Sequence, residues 1–496
     1  METWGLQVVS PIVHTRDLIV DIVQWAVLTL IIVVALATAC HALLYKRDPR
    51  AALGWIAVCL LYPLLGPVLY VLFGVNRVRT RAKKLEHRWR FFFSAGYERP
   101  EDEYEVGLSS LDVPEGVKPI ARISDAVTRR PLVGGNRIEL LHNGEQVYPA
   151  MLEAIEGARR SMFLSTYIFE TNDTGRRFID ALARAAGRGT DVRVSIDGIG
   201  ELYSIPRAGT LLKRRGVRVA RFLPPSLIPP ELHINLRHHR KILVADGAIG
   251  FIGGINIGDR HLAENVENPN RVVDVHFQLD GPVVTQIQQV FLEDWGFSTG
   301  EHTEPTQSSA GENDGMICRT IVDGPNEDLD KLSTILLGAV SAARQRISIM
   351  TPYFLPSREL IAALQSASLR GVEVTILLPA KNNLPVVHWA TRKMLWELLE
   401  WGVRVFYQPP SFVHTKLFVV DDQYILIGSA NIDPRSLRLN FELAVEVFDS
   451  QFAGIVSGHI QKSRERSLEV SLADMDGRRL PVRVRDALSW LFSPYL

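Results

Sequence analysis

Two sets of polar residues recur in register along this chain. His239, Lys241, Asp246 and Asn256 form the first; His414, Lys416, Asp421 and Asn431 form the second. Every member returns at the same offset of 175 residues (414 − 239, 416 − 241, 421 − 246, 431 − 256). Gly253-Gly254 in the first set matches Gly428-Ser429 in the second. One H-x-K-x4-D match is weak in a chain of 496 residues. Two in register indicate a duplicated site. The inventory suits a phosphodiester, which is anionic and repels nucleophiles. Lys241, Lys416, Asn256 and Asn431 supply the cations and amide donors that neutralise its equatorial oxygens. One imidazole attacks phosphorus, giving a phospho-histidine. The other protonates the leaving oxygen and then deprotonates the acceptor. Such a pair needs no metal and no cofactor.

An imidazole in this role needs a partner that orients it. Asp274 follows the first set and Glu442 the second, and each is a candidate to accept an Nδ1–H, even from the histidine of the opposite half. Asp246 and Asp421 end a strand at a turn, which first suggests a structural role. His233, His238, His261, His276 and His388 read as surface or structural residues.

The elements around the motifs repeat as well. Residues 161–169 read as a buried strand, 178–189 as an amphipathic helix ending at Gly189, and 191–197 as a strand. The second half replays this as strand 346–354, helix 359–371 ending at Gly371, and strand 372–378. Tyr167 matches Tyr353. Strands alternating with helices predict an α/β fold with largely parallel strands. We expect two α/β/α halves, 136–299 and 316–470, joined by a polar linker at 300–315. Each holds half a site, so they should pack face to face about a pseudo-twofold axis.

Lys plus Arg and Asp plus Glu are 55 each, which gives no basic excess for nucleic acid. The hydrophobic fraction of 47% is high for a water-soluble chain. Residues 22–44 and 51–75 carry no Asp, Glu, Lys or Arg, and each is long enough to cross a bilayer. Pro63 and Pro67 predict a kink in the second. With only residues 46–50 (KRDPR) between them, the runs predict a transmembrane hairpin over 1–75. Arg77, Arg79, Arg81, Lys83, Lys84, Arg88 and Arg90 outweigh Lys46, Arg47 and Arg50, so both ends should lie in the cytoplasm. The basic stretch should also attract anionic lipid. A cleaved signal peptide, with Ala37-Thr38-Ala39 as its site, and buried core helices are the competing readings of these runs. Residues 76–135 read as a juxtamembrane connection and 471–496 as an amphipathic tail, on a membrane surface or docked on the core. The apolar, proline-rich segment 222–232 (FLPPSLIPPEL) is a candidate to dip toward the bilayer. Cys40, Cys59 and Cys318 suggest neither a disulfide framework nor a metal site, so a reducing compartment is the default.

The duplicated motif resembles that of the phospholipase D superfamily. Residues 51–77, 234–259 and 411–449 are similar to the membrane segment and the two motifs of bacterial cardiolipin synthases. The likeness runs from about residue 16 to the end. Where that family often has Trp-Arg-Asp-x-His, this chain has Val272-Val273-Asp274-Val275-His276, keeping the aspartate and histidine; Thr415 stands where a small Ala is common. The resemblance implies that His239, Lys241, Asp246, His414, Lys416 and Asp421 are catalytic-motif residues. It implies a multi-pass enzyme of the bacterial inner membrane with its catalytic part in the cytoplasm. Its substrates would be phosphatidylglycerol and other anionic lipids, and two phosphatidylglycerols would give cardiolipin and glycerol. We expect a ping-pong route with His239 as nucleophile and His414 as acid/base. A hydrolytic phospholipase D, or another phosphatidyltransferase of the superfamily, is the alternative. A homo-oligomer remains open.

Overall fold

The computed structural model describes residues 11–46, 49–75, 113–227, 230–231, 236–306, 315–325 and 330–493. The chain divides between residues 81 and 82 into two compact units.

In the N-terminal unit, helix α1 (Pro11–Tyr45) runs unbroken. Its stretch Val20–Tyr45 is long and apolar enough to cross a membrane. Trp25, Leu30, Leu43 and Leu44 all face outward, which suits an apolar solvent rather than a protein core. The second apolar run is not one spanning helix. Helix α2 (Pro49–Leu61) stops before Pro63, whose ring and missing N–H break the hydrogen-bond ladder. Short helical turns resume over Leu65–Leu69 and Tyr70–Gly74. Ala39, Ala42, Cys59 and Tyr70 form a small core between the pieces, and Tyr70 Oη lies 2.7 Å from His41 Nδ1. The basic stretch at 77–90 lies outside the described residues, as does the acidic run at 98–105.

The catalytic unit is built on one sheet of 15 strands. The first half contributes β1 (Val133–His142), β2 (Ser161–Thr166), β3 (Asp191–Asp197), β4 (Arg218–Phe222), β5 (Ile242–Ala245), β6 (Ile249–Gly253) and β7 (Val275–Asp280). The second contributes β8 (Met316–Asp323), β9 (Arg346–Met350), β10 (Glu373–Pro379), β11 (Arg404–Gln408), β12 (Leu417–Val420), β13 (Tyr424–Gly428), β14 (Glu442–Phe448) and β15 (Leu468–Val470). The spatial order is β15-β11-β10-β9-β12-β13-β14-β8-β1-β7-β6-β5-β2-β3-β4. Read outward from the central β8–β1 pair, the two halves have the same order, with β15 added at one edge. This is the pseudo-twofold repeat.

Two expectations change here. The halves do not lie face to face. They meet edge to edge through antiparallel β1 and β8, with Val133 opposite Cys318 and Asn136 opposite Met316. Nor is the sheet largely parallel: only β2-β3-β4 and β9-β10-β11 run parallel. The βαβ signals read from the sequence belong to these outer strands. The inner strands are antiparallel and come from segments far apart in the chain.

Local chemistry explains the matched helices. Asn172 caps the helix Asp173–Gly187, and Gly189 ends it at φ +89°. Ser357 caps Arg358–Leu369, and Gly371 ends it at φ +91°. Helices Val283–Thr299 and Ser450–Glu465 cover the sheet from a core shared by both halves, with Ile287 and Phe291 from one and Phe452 and Val456 from the other. Each half also has its own core. The segment read as a mere connection supplies part of the second. Helix Lys118–Thr128 buries Ile120, Ala121 and Ser124, and the Ser124 hydroxyl donates to Glu446 at 2.7 Å. First-half strand pairing also starts three residues before the expected boundary, at Val133.

Candidate active site

The motif histidines sit just before β5 and β12, where each half's chain is hydrogen-bonded to the other half. His239 N–H donates to Phe441 O at 3.0 Å, and His414 N–H to Val273 O at 2.7 Å. Phe412–Val413 pairs in parallel with Val272–Val273. The Val-Val departure from the family pattern thus lies in a ladder between the halves, a pleated setting that suits β-branched residues.

The side chains cross the seam in the same way. His239 Nδ1–H donates to Glu442 of the second half, 2.9 and 3.0 Å from the two carboxylate oxygens. His414 Nδ1–H donates to Asp274 of the first half at 2.9 Å. Both carboxylates are buried. An Nδ1–H held this way leaves Nε2 as the reactive nitrogen of each ring. Lys241 Nζ donates to His239 O at 2.6 Å. Lys416 bonds the carbonyl of His414, and its Nζ lies against the ring, 2.9 Å from Nδ1 and 3.1 Å from Nε2. The ring of Tyr167 lies 5.7 Å from that of His239, and Tyr353 lies 6.1 Å from His414.

Burial shapes the electrostatics. It lowers Lys241 to about 7 against the pull of Glu442. It lowers Lys416 to about 8 against Asp274 and Glu442. His239 is lowered by burial, which outweighs Glu442. His414 falls well below the usual imidazole range through burial, then Lys416, Lys241 and His239. The two halves therefore share one electrostatic site. Burial raises Asp274 despite Lys416. Burial also pushes Glu442 upward, but His239, Lys241 and the Ser429 hydroxyl together bring it below the ordinary value.

Asn256 and Asn431 flank the site. Asn256 Oδ1 accepts from Ile168 N–H at 3.1 Å, and Asn431 Nδ2 donates to Ser436 at 3.0 Å. Asp246 and Asp421 are not in the site. Each lies at the far end of its strand, about 15 Å from the motif lysine at ~3.3 Å per residue. Asp246 accepts from the amides of Arg159, Arg160 and Ser161 at 2.7 to 2.9 Å. Asp421 accepts from those of Arg344, Gln345 and Arg346, each at 2.8 Å. These aspartates staple the entry of β2 and β9. Their motif membership is structural, and their expected catalytic place is corrected.

Two positioning groups were not singled out in the sequence. Ser429 Oγ donates to Glu442 at 2.5 Å, and Asn440 Nδ2 donates to it at 3.2 Å. The signal was the Gly-Ser that replaces Gly-Gly in the second set. At Gly254, the matching position, a Cβ would sit 2.3 Å from Asp274 Oδ2. The remaining histidines divide. His238 bridges Ser165 at 3.0 Å and Asp294 at 2.7 Å, a satisfied buried residue. His261 and His276 are buried beside the site and held near 3, chiefly by burial. The His388 ring lies tilted 5.6 Å from that of Tyr407, and His233 lies outside the described residues. Among the described residues no group of His, Cys, Asp and Glu has a metal-binding arrangement.

Fold and site together define a two-motif phosphodiester-handling enzyme of the phospholipase D type. The family described as "Cardiolipin synthase, PLD-like domain" matches residues 151–295 and 336–463. A phospholipase D-nuclease N-terminal family matches residues 27–74. Cardiolipin synthase A of Pseudomonas putida is 31% identical over 95% of this chain and 97% of its own length. Cardiolipin synthase A of Pseudomonas aeruginosa is 32% identical over 94% of each chain. The phosphatidylserine synthase of Haemophilus influenzae shares the fold, with a TM-score of 0.58 at 15% identity over 76% of this chain and 100% of that one. The chain belongs to the PLD-like cardiolipin synthase family and is a phosphatidyltransferase.

Proposed function

We propose that this enzyme joins two phosphatidylglycerols into cardiolipin and releases glycerol, by a ping-pong route through a phosphatidyl-histidine. The observation that carries this reading is the crossed pairing, His239 with Glu442 and His414 with Asp274. It gives two imidazoles in one site, each with Nδ1 fixed. In the first step His239 Nε2 attacks phosphorus. The bond from phosphorus to the glycerol oxygen breaks, and His414 delivers its proton to that oxygen. In the second step a hydroxyl of another phosphatidylglycerol loses its proton to His414 and attacks phosphorus. The P–N bond then breaks and His239 is restored. One diester replaces another, so no nucleotide or metal is required. Lys241 and Lys416, with the amides of Asn256 and Asn431, hold the equatorial oxygens.

The assignment of roles rests on the carboxylates. Phosphatidyl-His239 carries positive charge on its ring, which Glu442, held as a carboxylate by donors from Ser429 and Asn440, stabilises. His414, driven further below the ordinary imidazole range than His239, is the stronger acid once protonated. A diester oxygen draws Lys416 from Nε2 of His414 and lets that nitrogen take up its proton.

In this reading α1 and the broken second run form a membrane hairpin of the bacterial inner membrane with both ends in the cytoplasm. The site then works on the cytoplasmic leaflet. The test is incubation of the purified enzyme with phosphatidylglycerol followed by mass spectrometry. Cardiolipin and glycerol in equal amounts support the reading. Phosphatidic acid as the sole lipid product would replace it with hydrolysis.

A further inference from the structure

The helix Leu480–Leu491 is inside out. Leu480, Val484, Leu488 and Leu491 recur at helical spacing on one face, and that face is open to solvent at 48 to 71%. The buried face carries Asp486 and Ser489 instead. Asp486 is fully buried and held by Arg478 at 2.7 Å, Arg485 at 2.7 Å and Arg392 at 3.4 Å. A helix that turns its acid inward and its leucines outward is matched to an apolar environment outside the protein. Val386, Leu480, Val484 and Leu488, with Phe492, line an open groove of about 690 Å³ on this face.

A short series of contacts leads from the segment that edges the groove to the site. Val386 begins three residues after Asn383, whose side chain accepts from Tyr353 Oη at 2.6 Å; Tyr353 in turn packs on His414. The pseudo-twofold mate has the same plan. After β3, exposed Leu202, Tyr203 and Ile205 follow, and Tyr203 packs on Tyr167, which packs on His239. Both loops leave equivalent parallel strands, β3 and β10, at the ends nearest the site. Exposed Arg479 and Arg483 adjoin Leu480 and Val484 of the groove in sequence, while the only acid of the helix is buried.

We propose that this two-sided apolar rim seats the catalytic mouth on an anionic bilayer, with Leu480–Leu491 lying in the interface. The occupant is lipid because the rim is apolar, its border is basic, and its contacts lead to a site read above as acting on bilayer lipids. The inference rests on that reading for its occupant and not for its geometry. Lipid then passes from the leaflet to both histidines without crossing water.

The test uses the full chain in vesicles of phosphatidylcholine and phosphatidylglycerol, with Cys40, Cys59 and Cys318 replaced by Ala. Spin labels are placed singly at V484C, L488C and I205C, and at R159C at the opposite strand ends. Labels at 484, 488 and 205 should meet dissolved oxygen more than a water-soluble nickel complex, and the label at 159 the reverse. Nickel access at 484 and 488 equal to that at 159 overturns the proposal. So does broadening between labels of two copies, which would make a second chain the occupant. As a second arm, L488E should raise the apparent KM on vesicles about 5-fold and leave turnover of dispersed short-chain phosphatidylglycerol unchanged. Equal loss on both substrates contradicts docking. The depth pattern without any cardiolipin formation would refute the proposed function alone.

Discussion

The two half-sites are built to one plan and tuned differently. In the half-site of His239, the carboxylate is a glutamate with three neighbouring donors, from His239, Ser429 and Asn440. In that of His414, it is an aspartate, one methylene shorter, facing Gly254, where no hydroxyl reaches it. The result is a carboxyl at Glu442 held below its ordinary value and one at Asp274 pushed above its own. Duplication gives two equal imidazoles; a single Gly-to-Ser difference and one methylene make them unequal. A ping-pong transfer needs that inequality, because one ring must hold phosphorus while the other holds a proton.

The largest way to break the comparison is to remove either ring. We predict that His239→Asn and His414→Asn each lower cardiolipin formation by about 10⁴-fold or more, measured with phosphatidylglycerol in detergent micelles. A single mutant with substantial activity would refute a shared site. Removing the carboxylates should separate the halves. Glu442→Gln should cost about 10²–10³-fold in kcat and Asp274→Asn about 10–10²-fold, with the folded fraction checked by circular dichroism. The reverse order contradicts the proposed roles. At the paired position, Gly254→Ala forces Asp274 off His414 and should cost about 10–100-fold. Ser429→Ala only removes one donor to Glu442 and should cost about 10-fold. Equal effects would mean the two carboxylates are held alike.

The smallest effects come from pH. The lysines bind phosphate as ammonium groups, and burial lowers them to about 7 and about 8. kcat/KM should therefore fall as pH rises through 7 to 8. A bound anionic diester raises both values, so kcat should hold to higher pH. His239 attacks as the neutral ring and lies below the usual 6.5, so the acid limb should fall below pH 6.5. A pH–rate profile flat to pH 9, or an acid limb above 6.5, contradicts these environments.

Much of the site was legible because chemistry leaves residue types behind. The paired His, Lys and Asn, and the two later carboxylates, could be read from spacing alone. The crossing of carboxylates between halves was one of the pairings left open at Asp274 and Glu442. What stayed hidden depended on contacts distant in sequence. The β1–β8 edge, which joins the halves, pairs Val133 with Cys318, and nothing local to either announces it. Asp246 and Asp421 look catalytic because they share a motif with catalytic residues, yet backbone amides of the neighbouring strand explain them. The helix Lys118–Thr128 was missed, although Val117, Ile120, Ala121 and Ser124 follow helical spacing. The charged residues between them masked it. The outward leucines of Leu480–Leu491 could be seen as an amphipathic face, but not that the polar side is the buried one.

The central claim is that His239 carries phosphorus and His414 carries the proton. It is tested most directly with a phosphatidyl ester of p-nitrophenol, whose leaving group needs no proton. We predict a burst of p-nitrophenolate from His414→Asn, close to that of the unaltered enzyme and with labelled lipid bound to His239. His239→Asn should release none. A burst from His239→Asn, or from neither mutant, would contradict the account.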